Sequence, residues 1–119
     1  MTIQECYALL GGDYEQVARR LPSEGMVRRF LAKCPKDDSY AQLCRTMEEG
    51  QRKEAFRAAH TLKGVCANLG IERLMRSAGE LTELLRPEGD AIPEGADALL
   101  NAVRQDYEAA VETIEALQA

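Results

Sequence analysis

Apolar residues in this chain recur every three or four positions, and no stretch alternates apolar with polar residues as a half-buried strand would. That period restricts the fold to packed helices. Plentiful Ala, Leu, Glu and Arg agree with it, since these residues lose little in a helix. Thr2 with Glu5 forms a capping box before Ile3, Cys6, Tyr7 and Leu10, and Gly11-Gly12 ends that helix. Asp13 caps a second short piece with Val17, Ala18 and Leu21 inward, broken at Pro22. Ser23 caps a third, with Met26, Val27, Phe30, Leu31 and Cys34 on one stripe before Pro35. Ser39 with Gln42 reads as another capping box, followed by Tyr40, Leu43 and Met47 and closed at Gly50.

A longer helix runs from about Gln51 to Leu69, with Gly70 past its end. Ile71, Leu74, Met75, Ala78, Leu81 and Leu85 mark the next. After a polar loop from Pro87 to Pro93, Leu99, Leu100, Val103, Tyr107, Ala110, Val111, Ile114 and Leu117 mark the last. The expected fold is all-α: an antiparallel up-down four-helix bundle with short N-terminal helices packed across one end. At 119 residues, with no internal repeat or long linker, one domain over residues 1–119 is expected.

The Gln51–Leu69 segment carries the only histidine. At about 100° per residue, Ala55, Ala58, Ala59, Leu62, Val65, Cys66 and Leu69 fall within roughly 60° of one direction. His60 points about 160° from that centre, into solvent. Gly64 lies one turn on and Ala67 a turn further, on the same open face. Lys63 flanks His60 at a spacing where side chains meet. Phe56 lies about 120° from the core centre, where it either joins an apolar docking patch or lies under the N-terminal helices. A glycine inside a helix costs roughly 1 kcal/mol against alanine. At Gly64 the cost goes with a clear approach to His60 for a bulky partner. Neutral imidazole can attack phosphorus, and Lys63 can offset charge on phosphoryl oxygens.

Charge and composition exclude several classes. The net charge is -5, against a phosphate-backbone binder, which needs clustered Lys and Arg. No apolar run approaches a membrane span, and Met1-Thr2-Ile3-Gln4-Glu5 has no signal-peptide pattern, so a cytoplasmic location is expected. Cys6, Cys34, Cys44 and Cys66 are widely spaced at apolar positions and read as reduced core residues, not zinc ligands. A single histidine without surrounding carboxylates on its face cannot build a zinc or di-iron site. Lys53, Arg57 and Lys63 surround His60 on the wheel and form a basic patch on an acidic protein.

His60-Thr61-Leu62-Lys63-Gly64, continuing through Val65-Cys66-Ala67-Asn68 to Leu69-Gly70, resembles the motif of histidine-containing phosphotransfer (HPt) domains, as does the run Glu54 to Ala59 before it. More weakly, the resemblance covers nearly the whole chain. It implies a phosphorelay intermediate. His60 would accept a phosphoryl group from the aspartate of a receiver domain and pass it to another receiver. Lys63 would balance the phosphoryl charge, and Gly64 would leave room for the receiver. Lys53, Phe56, Arg57 and Ala67 are the candidate partner-binding residues. The implied partners are response-regulator receivers and the receiver of a hybrid histidine kinase. No cofactor is expected, the magnesium belonging to the receiver. Val65 departs from the serine many members carry there, and Thr82 stands where some place a glutamine beside the histidine.

Two other readings compete. A histidine-kinase dimerisation region carries an acidic residue after its histidine and a proline later in the helix; Thr61 follows here, and no proline occurs between His60 and Pro87. With no Gly-rich nucleotide segment, ATP-dependent kinase activity is not expected. The rival from another class is a non-catalytic helical adaptor, in which His60 is incidental. A monomer that stands alone is expected, with a fragment of a hybrid kinase as the alternative.

Overall fold

The computed structural model describes all of residues 1–119 and contains α-helices and one 3₁₀ turn but no strand. The helices are α1 (Ile3–Leu10), α2 (Tyr14–Ala18), α3 (Glu24–Lys33), α4 (Ser39–Glu48), α5 (Arg52–Leu69), α6 (Glu72–Leu85) and α7 (Ala96–Gln118), with the 3₁₀ turn at Cys34–Lys36. At 1.5 Å per residue, α7 alone spans about 34 Å of a molecule 44 Å long.

Three of the expected caps form. Thr2 and Glu5 bond reciprocally at 3.0 Å each. Asp13 Oδ1 accepts the Glu15 N–H at 3.0 Å, and Ser23 Oγ accepts the Met26 N–H at 3.1 Å. The fourth does not form. Ser39 is the first helical residue of α4, buried at 4% exposure, and it caps nothing. Asp37 takes over: its Oδ1 accepts the Ser39 N–H at 2.9 Å and also the Ser39 hydroxyl. The 3₁₀ turn around Pro35 leaves Asp37 extended, ahead of the helix end, while packing draws Ser39 inward. Gln42 cannot complete the box either, because its side chain receives a bond from Arg45. Ala18, expected inward, is exposed; Val17 alone of its short helix is buried. A five-residue helix has room for one inward position, and Val17 occupies it.

Packing follows chain order: α4 lies against α5, α5 against α6, and α6 against α7. Ala55 and Ala59 of α5 and Ala78 of α6 are all fully buried, and side chains this small let helix axes approach closely. Leu43, Leu62, Leu74, Leu81 and Ile114 fill the space between, each contributing about 1.5–3 kcal/mol through burial. Tyr40 of α4 stacks on Tyr107 of α7, with ring centroids 3.9 Å apart. The N-terminal helices gather around the α5–α6 turn. α1 packs on α7 and α6, α3 on α7 and α5, and α2 bridges α1 and α3. Tyr7 of α1 donates its hydroxyl to the Leu69 carbonyl at 2.6 Å, and Arg73 Nη1 reaches the Leu9 carbonyl at 2.9 Å.

Polar groups drawn into the core find partners on their own helices. Thr46, Ser77 and Thr82 donate to carbonyls of the preceding turn, and no buried side-chain polar atom is left without a partner. All four cysteines are free thiols. Burial pushes the Cys34 thiol up to about 11 and Cys66 higher still, so both stay protonated and inert at neutral pH. No helix is long and apolar enough to cross a membrane.

Candidate functional site

α5 divides cleanly into two faces. Ala55, Ala59, Leu62, Cys66 and Leu69 are buried, while His60, Gly64 and Ala67 are exposed along the opposite side. A Cβ placed on Gly64 would meet nothing within 4 Å, so the helix surface one turn from His60 is bare. Gly64 is therefore not there to let another helix come close. Past Ala67 the open face runs into a cleft of about 380 Å³, which Val17, Arg19, Arg20 and Met75 also line. Val65 turns to the other side and borders an apolar cleft of about 370 Å³ with Leu21, Phe30 and Leu69.

The side chains around His60 are organised by α6. The aliphatic part of Lys63 lies across Gly79, where an added Cβ would stand 3.5 Å from Lys63 Cε and 3.6 Å from Cδ. Phe56 is half-buried, its ring centroid 6.1 Å from that of His60. It lies under Arg86, whose guanidinium carbon is 5.5 Å from the ring centroid. Arg86, just past the end of α6, thus covers Phe56, which leaves it away from the N-terminal helices at the far end of α5. Arg86 also grips Glu83 with a fork, Nε to Oε2 at 2.8 Å and Nη2 to Oε1 at 3.0 Å. These bonds hold the Glu83 carboxyl below its usual range, and the charges of Lys63 and His60 pull the same way more weakly. Glu83 thus joins the neighbourhood of His60 through Arg86 and Phe56.

His60, Lys63, Gly64, Phe56 and Ala67 come together on one surface. Lys53 is exposed about two turns before His60. Arg57 is exposed but lies toward α4, lining a polar groove with Asp38, Arg45 and Thr61, and it pairs with Glu54 Oε2 at 3.4 Å. The basic patch is therefore less uniform than the wheel of α5 implies: Glu54 offsets Arg57, and Glu83 arrives from α6. Thr82 does not face His60. It is 1% exposed, and its hydroxyl donates to the Ala78 carbonyl at 2.7 Å.

Sequence reading missed Gly79, Glu83 and Arg86. Their spacing of three and four residues was visible, and it marks one face of α6. What a single-helix projection lacked was the register that sets Gly79 against Lys63 and Arg86 against Phe56.

The Arg86 end of the α5–α6 seam is itself pinned. Arg52, at the start of α5, donates to the carbonyls of Leu84, Leu85, Arg86 and Ala91 at 2.7–3.3 Å. These are the carbonyls a helix C-terminus leaves without internal partners, together with one from the following loop. One guanidinium therefore ties the last turn of α6 to the first turn of α5, which sets where Glu83 and Arg86 stand.

Compared with known proteins, the chain matches the family model described as Hpt domain over residues 25–117. No curated protein and no solved structure matches it. The matched span runs from the first turn of α3 to the last turn of α7 and contains the whole His60 face; α1 and α2 lie outside it. The helical fold, the motif around His60 and a match over most of the chain agree, and the protein belongs to the Hpt domain family of histidine phosphotransfer in two-component signalling.

Proposed function

We propose that this chain is a phosphorelay intermediate with His60 as its phosphoacceptor. The observation that carries the reading is the bare helix surface at Gly64, one turn from an exposed imidazole and beside Lys63. In the step, the lone pair of an unprotonated ring nitrogen attacks the phosphorus of a receiver's aspartyl phosphate. The N–P bond forms, the P–O bond to the aspartate breaks, and the carboxylate leaves with that electron pair. The proton on the other ring nitrogen stays, so the ring carries the compensating positive charge. The reverse step hands the group to the aspartate of a second receiver. Catalysis here is chiefly positioning and charge compensation, so one nucleophile and one cation suffice from this side. Lys63 supplies the cation, Gly64 the clearance, and magnesium comes with the receiver.

Lys53, Phe56 and Ala67 form the docking surface around that centre, with Arg57 at its α4 edge, the two cations meeting the acidic pocket of a response-regulator or hybrid-kinase receiver. The chain works as one monomeric unit over residues 1–119 in the cytoplasm. In this reading α4 to α7 run up and down as an antiparallel bundle, with α1 to α3 over one end. The sequential packing of those helices supports it.

The test is transfer from a phosphorylated receiver to the wild-type protein and to His60→Gln. Acid-labile, base-stable label on the wild type alone is the expected result. Equal labelling of the variant would move the acceptor elsewhere, and binding without label would favour a non-catalytic adaptor.

A further inference from the structure

A phosphoryl group on His60 carries close to two negative charges at neutral pH, and a carboxylate beside it opposes its formation. Glu83 is such a carboxylate. It lies one turn after Gly79 on α6, on the face that meets Lys63, and Arg86, the residue just past the helix end, joins it to Phe56. Left free, it has two ways to interfere: it repels the phosphoryl oxygens, and it competes with them for Lys63. Both are prevented where the carboxylate is already occupied. Arg86 takes one Glu83 oxygen with Nε and the other with Nη2, at 2.8 and 3.0 Å. The ring of Phe56 beneath the guanidinium gives Arg86 a seat facing that side.

Resting on the phosphotransfer reading above, we propose that Arg86 is a positioning residue for the His60 reaction, closing on Glu83 so that Lys63 remains free for the phosphoryl group. The weak downward pull of Lys63 on the Glu83 carboxyl is in keeping with this placement. Glu83 and Arg86 are both more than half exposed, so solvent screens the pair and the effect on transfer is moderate.

The experiment is a four-protein comparison: wild type, Arg86→Gln, Glu83→Gln and the double variant. Each is equilibrated at low salt with a receiver domain charged on its aspartate by acetyl phosphate. Arg86→Gln is expected to lower the labelled fraction about three- to tenfold, since it leaves Glu83 free. Glu83→Gln in that background is expected to restore labelling to within about twofold of wild type, as for a coupled pair. Added salt should shrink the Arg86→Gln deficit. A folding defect would not be mended by neutralising Glu83, so the double variant separates positioning from structure. Wild-type labelling in Arg86→Gln, or a double variant as low as the single one, overturns the proposal. An unlabelled wild type overturns the phosphotransfer reading and this proposal with it.

Discussion

At the turn between α5 and α6, Gly70 has Val17 and Tyr7 pressed against it; a Cβ there would stand 2.5 Å from Val17 Cγ2 and 3.2 Å from Tyr7 Cε1. Less than two turns earlier in the same helix, Gly64 has nothing within 4 Å of that position. Gly70 also has φ +72°, where it ends α5 with its N–H turned back to the last carbonyls, while Gly64 is ordinary helix. The two glycines therefore answer different demands on one helix. At the turn, the backbone has to be left-handed and the N-terminal helices have to come close. At His60, fold stability gains nothing from the missing side chain. A residue that costs stability and packs against nothing points outward, to a partner.

The largest effect expected from this contrast is at the turn. Gly70→Ala combines left-handed backbone strain with a collision against Val17 and should cost about 2–4 kcal/mol, read from the urea midpoint at constant slope. A neutral result would mean that α2 yields easily and that the N-terminal end is not tightly packed.

A second, intermediate effect lies in the interior. The Cys34 thiol is raised from 9.0 to about 11, chiefly by burial, and Cys66 is raised further by the same cause. A folded-state pKa above the unfolded one means that the folded protein holds its proton more tightly. The resulting stability is fully present below about pH 9 and is lost as the pH rises towards and past 11. Urea titrations across that window should show the decline, and Cys34→Ala should make it shallower while the Cys66 share remains.

The smallest effect belongs to the open glycine. Gly64→Ala should stabilise the helix by up to about 1 kcal/mol, because it meets no neighbour and relieves a helix-propensity cost. Gly64→Gln should fold as well as wild type yet transfer phosphoryl groups poorly, by occupying the receiver's approach. If transfer survived a long side chain at position 64, the clearance argument would fail while the fold stood.

Much of this was legible along the chain. Thr2, Asp13 and Ser23 were readable as caps because a cap depends on residues within one turn. The His60 face was readable for the same reason, since helical projection needs only the sequence of one helix. Ser39 was misread because packing draws it into the first turn of the helix, and Asp37, two residues earlier, bonds to it instead. Ala18 was misread because a helix this short has almost no periodicity to read.

The sequence by itself determined that the chain is helical, where most helices begin and end, and that an imidazole, a lysine and a glycine share an exposed face. Those properties follow from local hydrogen bonding and the helical repeat. Only the tertiary structure decided that Gly79 carries Lys63, that Arg86 covers Phe56 and grips Glu83, and that Thr82 turns inward. The contacts of Gly79 with Lys63 and of Arg86 with Phe56 depend on the register between α5 and α6, which is set by how buried side chains such as Ala59, Leu62, Ala78 and Leu81 fit together. Packing across a helix pair involves residues far apart in the chain, and no local repeat encodes it.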